Sequence, residues 1–291
     1  MEVKQARRRS SGHAAGARRS AEAVAAAGQL ACVLEASAEK PGNITPSHDF
    51  ADTSYEDMLR SAIALGPELA RAADRGVGDT VLAAVRATRR GANTNLGIVL
   101  LLAPLARAAL LGGPLRERVD EVLDALTLDD AQAAYAAIRL AGAGGLDEPV
   151  EHDVRAAPTL ALRDAMALAA ERDSVAAEYA SGYAVTFDLG LPALAGALDA
   201  GLGPRSATVE LYLALLAAVP DTLVARKRGR DAAERVSAGA ARVLAARGDA
   251  RKKALQAFDA SLRQDGNALN PGTTADLVTA VLFVALLEGL L

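Results

Sequence analysis

Apolar residues recur at three- and four-residue steps through most of this chain and hardly anywhere alternate one-for-one with polar ones, the signature of helices. Between Ala17 and Glu39, the residues Val24, Ala27, Leu30, Ala31 and Leu34 mark one face for burial. Pro41-Gly42 ends that helix, and Lys40–Thr53 follows as a polar loop that is long for a connection inside a helical domain. Thr53-Ser54-Tyr55-Glu56 has the form of a capping box, with Thr53 as cap and Glu56 reaching back, and it opens a helix to about Asp74. Further helices are predicted near Asp79–Arg90, from Leu96 onward, and near Leu115–Leu126 and Asp129–Leu140. Gly142–Pro158, rich in Gly and Pro and acidic, reads as a surface linker. Beyond it the pattern predicts helices near Leu160–Phe187, Pro192–Leu202, Ala207–Val219, Asp231–Arg247, Ala250–Gln264 and Thr273–Leu291. The expected fold is all-α: a single-domain multi-helix bundle over residues 21–291, behind a disordered basic arm at residues 1–20.

Composition sharpens this. Of 291 residues 51% are hydrophobic but only 3% aromatic, so much of the apolar content is Ala, the best helix former, while strands favour the aromatic and β-branched types. A net charge of −4 supplies no global field for nucleic acid. One Cys, Cys32, and three His exclude a disulfide framework and a Cys/His zinc cluster. Leu96–Leu111, broken by Pro104 and Arg107, and Leu277–Leu291, with Glu288, both fall short of the roughly 20 apolar residues of a spanning helix. Lys4, Arg7, Arg8, Arg9, Arg18 and Arg19 make the N-terminus basic, but no apolar signal segment follows. The expectation is a soluble, cytoplasmic protein with no nucleic-acid or membrane partner.

Four polar clusters interrupt this Ala/Leu background, each beside a helix end. The first runs from Glu35 to Asp57 and includes Lys40, Gly42, His48 and Asp49; the second is Arg90-Gly91-Ala92-Asn93-Thr94-Asn95-Leu96-Gly97. The third is Pro220-Asp221 with Arg226-Lys227-Arg228-Gly229-Arg230, and the fourth Asn270-Pro271-Gly272-Thr273-Thr274-Ala275-Asp276. Glycine and short polar residues leading into an apolar helix suit anion binding, because the first helical N–H groups lack partners and carry partial positive charge. Asn93 and Thr273 also serve as plain N-caps, and Thr273-x-x-Asp276 as a capping-box variant. Asp49, Asp52, Asp57, Asp221 and Asp276 are hard oxygen ligands of the kind Mg²⁺ takes beside phosphate, with Asp49, Asp57 and Asp276 as the metal candidates. No Walker-type phosphate loop is present.

Taken in order, these clusters resemble the triphosphoribosyl-dephospho-CoA synthase family. Leu34-Glu35-Ala36-Ser37-Ala38-Glu39-Lys40-Pro41-Gly42, with Asp57-Met58 downstream, is similar to that family's N-terminal motif. Gly91–Gly97 resembles its Gly-x-Asn-Thr-His-Lys-Gly, Asp221-Thr222 with Arg226–Gly229 its third motif, and Asn270–Leu277 its Asn-Pro-Gly-Gly-Ser-Ala-Asp-Leu. The resemblance implies an all-helical enzyme that joins ATP to 3′-dephospho-CoA, releasing adenine and keeping the triphosphate. It further implies Glu35, Asp57, Asp221 and Asp276 for acid–base or metal work, with Mg²⁺ on Asp49, Asp57 and Asp276. Lys40, Arg226 and Lys227 would meet the triphosphate. Gly42, Asn93, Thr94, Asn95, Asn270, Gly272 and Thr273 would contact nucleotide, phosphate or ribose. Expected partners are these small molecules, with a homo-oligomer left open. Three departures stand out: Asn95-Leu96 replaces His-Lys, Thr273-Thr274 replaces Gly-Ser, and the loop 43–52 lacks the family's Gly-Ala-His pattern. They leave open a related pentosyltransferase with a different coenzyme precursor, such as a methanopterin-like one, or a nucleotide-binding helical protein without catalysis.

Overall fold

A computed structural model describes residues 18–88, 95–142, 154 and 156–291. The described residues form helices and no strand, bearing out the all-α expectation. In chain order the helices are α1 (Ala21–Ser37), α2 (Tyr55–Leu69), α3 (Ala72–Arg75), α4 (Val77–Thr88), α5 (Leu96–Leu111), α6 (Leu115–Asp124) and α7 (Leu128–Ala141). They continue as α8 (Leu162–Ala167), α9 (Ser174–Ser181), a π-helical turn (Val185–Gly190), α10 (Leu191–Asp199), α11 (Pro204–Ala218), α12 (Thr222–Arg228), α13 (Arg230–Ala245) and α14 (Gly248–Leu262). A left-handed turn follows, with φ of 51°, 65° and 62° at Asp265, Gly266 and Asn267, and then α15 (Gly272–Leu287).

α5 and α15 are apolar on every side and form the centre, as an all-round hydrophobic helix must. α15 packs on α1, α5, α11 and the π turn. No single helix among the described residues is long and apolar enough to cross a membrane.

Two interior prolines explain several distant contacts. Pro104 has no N–H for the Leu100 carbonyl, and its ring strains the turn before it. Tyr179 and Tyr183 donate instead to Leu100 O and Leu101 O, each at 2.7 Å. In α2, Pro67 orphans the Ile63 carbonyl in the same way, and Gln29 of α1 donates to it at 2.9 Å. A Cβ on Gly66 would lie 2.6 Å from the Gln29 side chain, so the small residue next to the proline admits its substitute donor.

Several sequence expectations need correction. The capping box is set one residue later: Ser54 caps Asp57 N, and Asp57 returns to Ser54 N at 3.1 Å. Leu30, assigned to the buried face of α1, is 45% exposed. The predicted helix from Thr53 to Asp74 breaks after Leu69, and Leu160–Phe187 divides into α8, α9 and the π turn, which starts where Gly182 and Tyr183 take left-handed φ. The expected arm at 1–20 lies outside the described residues up to 17. Its last residues are held: Arg19 N donates to Ala109 O at 3.1 Å and its guanidinium to Leu287 O at 2.9 Å.

Candidate functional site

The loop after α1 is fixed from three sides. Tyr212 of α11 donates to Pro41 O at 2.9 Å and receives Asn43 Nδ2 at 2.9 Å. Gly42 N donates to Asp259 at 2.8 Å, and Arg263 spans Asp259 and Asn43 O at 2.9 and 3.0 Å. Gly42 is at φ +74°, and a Cβ there would sit 2.7 Å from Leu262, so this loop closes onto α14 through glycine. Sequence reading missed Tyr212, Asp259 and Arg263; nothing in their local pattern sets them apart from core and surface helix residues.

Inside this frame Glu35 and Lys40 form a buried ion pair at 3.0 Å. The Lys40 ammonium also donates to the carbonyls of Glu35 and Ala38. Its three donors are thus spent, which leaves none for a phosphate, contrary to the role in triphosphate binding expected from the sequence. Glu35 Oε2 is buried and has no hydrogen-bond partner.

Four helix N-termini carry the protein's own carboxylates, and the charges of Glu35, Asp221 and Asp173 all act on Asp276. Asp173 caps α9, accepting from Val175 N at 2.8 Å. Asp221 caps two helices at once. Its Oδ1 takes Leu223 N and Val224 N of α12 at 2.9 and 3.0 Å, and its Oδ2 takes Thr274 N and Thr274 Oγ1 of α15 at 2.7 and 2.8 Å. Asp276 is seated against the start of α5: a Cβ on Gly97 would lie 2.0 Å from its Oδ2, and the Ile98 N–H supports its charged form. The helix starts that read as phosphate sites are therefore filled by aspartates, which the partial positive charge there favours. The capping box expected within Thr273–Asp276 does not form; α15 begins at Gly272, its N-cap residue Pro271 offers no side-chain acceptor, and Asp276 turns to α5 instead.

Burial pushes the Asp276 carboxyl well above the usual range, and the charges of Glu35, Asp221 and Asp173 add to the rise. Burial likewise raises Asp221 against its four hydrogen bonds, and raises Cys32, which also feels Glu35 and Asp276. Two further acceptors without partners, Asn95 Oδ1 and Asn270 Oδ1, are buried. Asn95 is oriented by its Nδ2, which donates to Ser61.

The remaining sequence candidates divide. Arg226 and Lys227 are exposed on the last turn of α12, Arg226 at 3.9 Å from Asp173. Gly272 lies against Leu223, and Thr273 is buried in the first turn of α15. Asn93 and Thr94 lie outside the described residues. Asp57 is held by Ser54 and Arg60, and its carboxyl is lowered first by Ser54 and then by Arg60. Asp49 accepts Tyr55 N at 2.7 Å on the exposed side of α2. Among the described residues no three His, Cys, Asp or Glu side chains gather as a metal site, so Asp49, Asp57 and Asp276 do not form the expected Mg²⁺ triad.

The site is thus rich in acceptors and carboxylates, with cations spent or at its rim. Comparison with known proteins agrees with the motifs. Residues 21–291 match the profile of the family described as ATP:dephospho-CoA triphosphoribosyl transferase. A probable 2-(5''-triphosphoribosyl)-3'-dephosphocoenzyme-A synthase of Stutzerimonas stutzeri (strain A1501) is 35% identical over 109 residues, 35% of this chain and 36% of that protein. A protein of the same name from Pseudomonas savastanoi pv. phaseolicola (strain 1448A / Race 6) is 28% identical over 203 residues, 69% of this chain and 62% of that one. These alignments span between a third and two thirds of the relatives' own length. A crystal structure named for triphosphoribosyl-dephospho-CoA synthase, from Archaeoglobus fulgidus, superposes with TM-score 0.64 at 32% identity, covering 79% of this chain and 99% of that one. The chain belongs to the ATP:dephospho-CoA triphosphoribosyl transferase family.

Proposed function

We propose that this protein transfers the triphosphoribosyl unit of ATP to the 2′-hydroxyl of 3′-dephospho-CoA, with adenine as leaving group. In that reaction the N-glycosidic bond breaks, the acceptor oxygen bonds to the ribose anomeric carbon, and the hydroxyl proton ends on a base. Positive charge develops on the ribose as adenine departs. The observation that carries the proposal is the set of buried acceptors without a hydrogen-bond partner, Glu35 Oε2, Asn95 Oδ1 and Asn270 Oδ1, together with the raised carboxyl of Asp276 on which the Glu35 charge acts. Such a site is complementary to a cationic transition state and to hydroxyl and amino groups of a nucleoside.

Asp276 takes the proton of the attacking hydroxyl, its burial among other carboxylates raising its affinity for that proton. Glu35 faces the developing ribosyl charge, and Lys40 positions it. Asp221 is a positioning residue, since both of its oxygens are spent on α12 and α15. Asn270, Gly272, Thr273, Asn93 and Thr94 meet the ribose, with Arg226 and Lys227 receiving the triphosphate at the rim. Mg²⁺ enters as the counter-ion that ATP brings, and no residue triad is assigned to it. A cytoplasmic location belongs to the same reading.

Mass spectrometry of the product formed from ATP and 3′-dephospho-CoA tests the proposal. A dephospho-CoA adduct retaining all three phosphates is the result expected. Release of ADP, or of pyrophosphate, in place of adenine would overturn it.

A further inference from the structure

A cleft of about 140 Å³ lies between α13 and α14, outside the carboxylate cluster. Val236, Phe258, Leu262 and Leu269 line it together with Arg235 and Arg242. On α13, positions 235, 239 and 242 share one helical face. Gly239 has no side chain between the arginines, and the Phe258 ring lies 2.5 Å from where its Cβ would stand. The ring is thereby recessed and makes an apolar floor. The arginines stand two helical turns apart, roughly 10 Å. Both are exposed, and neither pairs with a carboxylate among the described residues, whereas Arg226, Arg228, Arg230 and Arg251 all do. Arginine seeks bidentate oxyanions, and phosphate above all.

The cleft also shares a wall with the site. Leu262 approaches within 2.7 Å of the missing Cβ of Gly42, Arg263 beside it holds Asn43 O at 3.0 Å, and Leu269 is followed by Asn270 with its buried orphan oxygen. A ligand lying on this floor leads from the arginines toward Asn270.

We propose that this cleft is the acceptor subsite, taking the diphosphate of a nucleotide-like acceptor on Arg235 and Arg242 and an apolar portion of it on the Phe258 floor. This rests on the transfer reaction given above as the protein's function. It separates the acceptor from the triphosphate donor, whose cations are on α12.

Calorimetric titration of 3′-dephospho-CoA without ATP tests the subsite apart from turnover. Wild-type protein is compared with Arg235→Gln/Arg242→Gln and with the charge-preserving Arg235→Lys/Arg242→Lys, pyrophosphate serves as a second probe, and ATP is titrated separately. The glutamine variant is expected to bind dephospho-CoA at least about tenfold more weakly, with ATP affinity within about twofold of wild type. The lysine variant should fall between. Raising the salt should bring wild type toward the glutamine variant, since both cations are exposed. Pyrophosphate, which cannot use the floor, should bind more weakly than dephospho-CoA. Equal dephospho-CoA affinity in wild type and the glutamine variant would overturn the subsite, as would an equal loss for ATP. If wild type binds dephospho-CoA through these arginines yet releases no adenine, the subsite stands and the transfer reaction falls.

Discussion

Asp276, the base proposed for the transfer, is also the carboxyl that burial and its neighbours push well above the usual range. An unfolded aspartate titrates near 3.9, and burial beside Glu35, Asp221 and Asp173 raises the folded value above that. The folded protein therefore holds a proton that the unfolded chain has already lost. The resulting stability is present below about pH 4 and is lost as pH rises through the folded value, then stays level. Turnover should run the other way, rising with pH as the carboxyl ionises. Asp276→Asn keeps an oxygen for Ile98 N and removes the repelling charge. It should gain about 0.5–2 kcal/mol at pH 8 in thermal melts while turnover collapses; a stability loss with activity kept would mark Asp276 as a plain cap. Asp221→Ala should act oppositely, costing about 2–4 kcal/mol by stripping the partners of Thr274, Leu223 and Val224. Denaturant unfolding checks this, and a loss under about 0.5 kcal/mol, within the surface-substitution range, would contradict the double cap. Both aspartates were legible in sequence as polar residues at helix starts. Their partners were not, because an aspartate at one helix start gives no sign that it serves another helix 53 residues away, as Asp221 does for Thr274.

At the scale of elements, periodicity located most helices, and the errors fall where tertiary donors replace local ones. Pro104 should break α5, yet the helix runs on because two buried tyrosines from α9 and the turn after it satisfy the carbonyls at that break. Tyr179→Phe should cost about 1–3 kcal/mol by leaving Leu100 O buried and unpaired. Pro104→Ala supplies the missing N–H to that same carbonyl, so the double variant should recover most of the loss; simple additivity in a double-mutant cycle would contradict this account. Gln29→Ala removes the matching device in α2, but there the bond is exposed and water replaces the donor. A loss below about 0.5 kcal/mol is expected, read from the same melts. The capping box moved by one residue for a similar reason: Thr53-x-x-Glu56 and Ser54-x-x-Asp57 both fit the local pattern. The second leaves Glu56 exposed and Asp57 within reach of Arg60.

Over the whole molecule, two all-apolar helices hold four helix N-termini around one acceptor-rich region, and the chain supplies aspartates to those N-termini itself. The sequence showed which clusters were polar and, through their order, which family they resemble. It could not show that Lys40 is consumed by Glu35, or that Asp49 and Asp57 are spent at the start of α2 and gather into no metal site with Asp276. The first depends on how the loop after α1 folds back, and that loop is closed onto α14 through Gly42 and Asp259. These facts are the reason the proposed chemistry rests on Asp276 and Glu35 rather than on all four carboxylates. The most direct test is chromatographic measurement of free adenine from ATP and Mg²⁺, with and without 3′-dephospho-CoA, for wild type and Asp276→Asn at pH 8. Adenine formed by wild type only when dephospho-CoA is present, and reduced at least about a hundredfold in the variant, is the result predicted. No adenine from wild type, or equal adenine from the two proteins, would contradict the assignment.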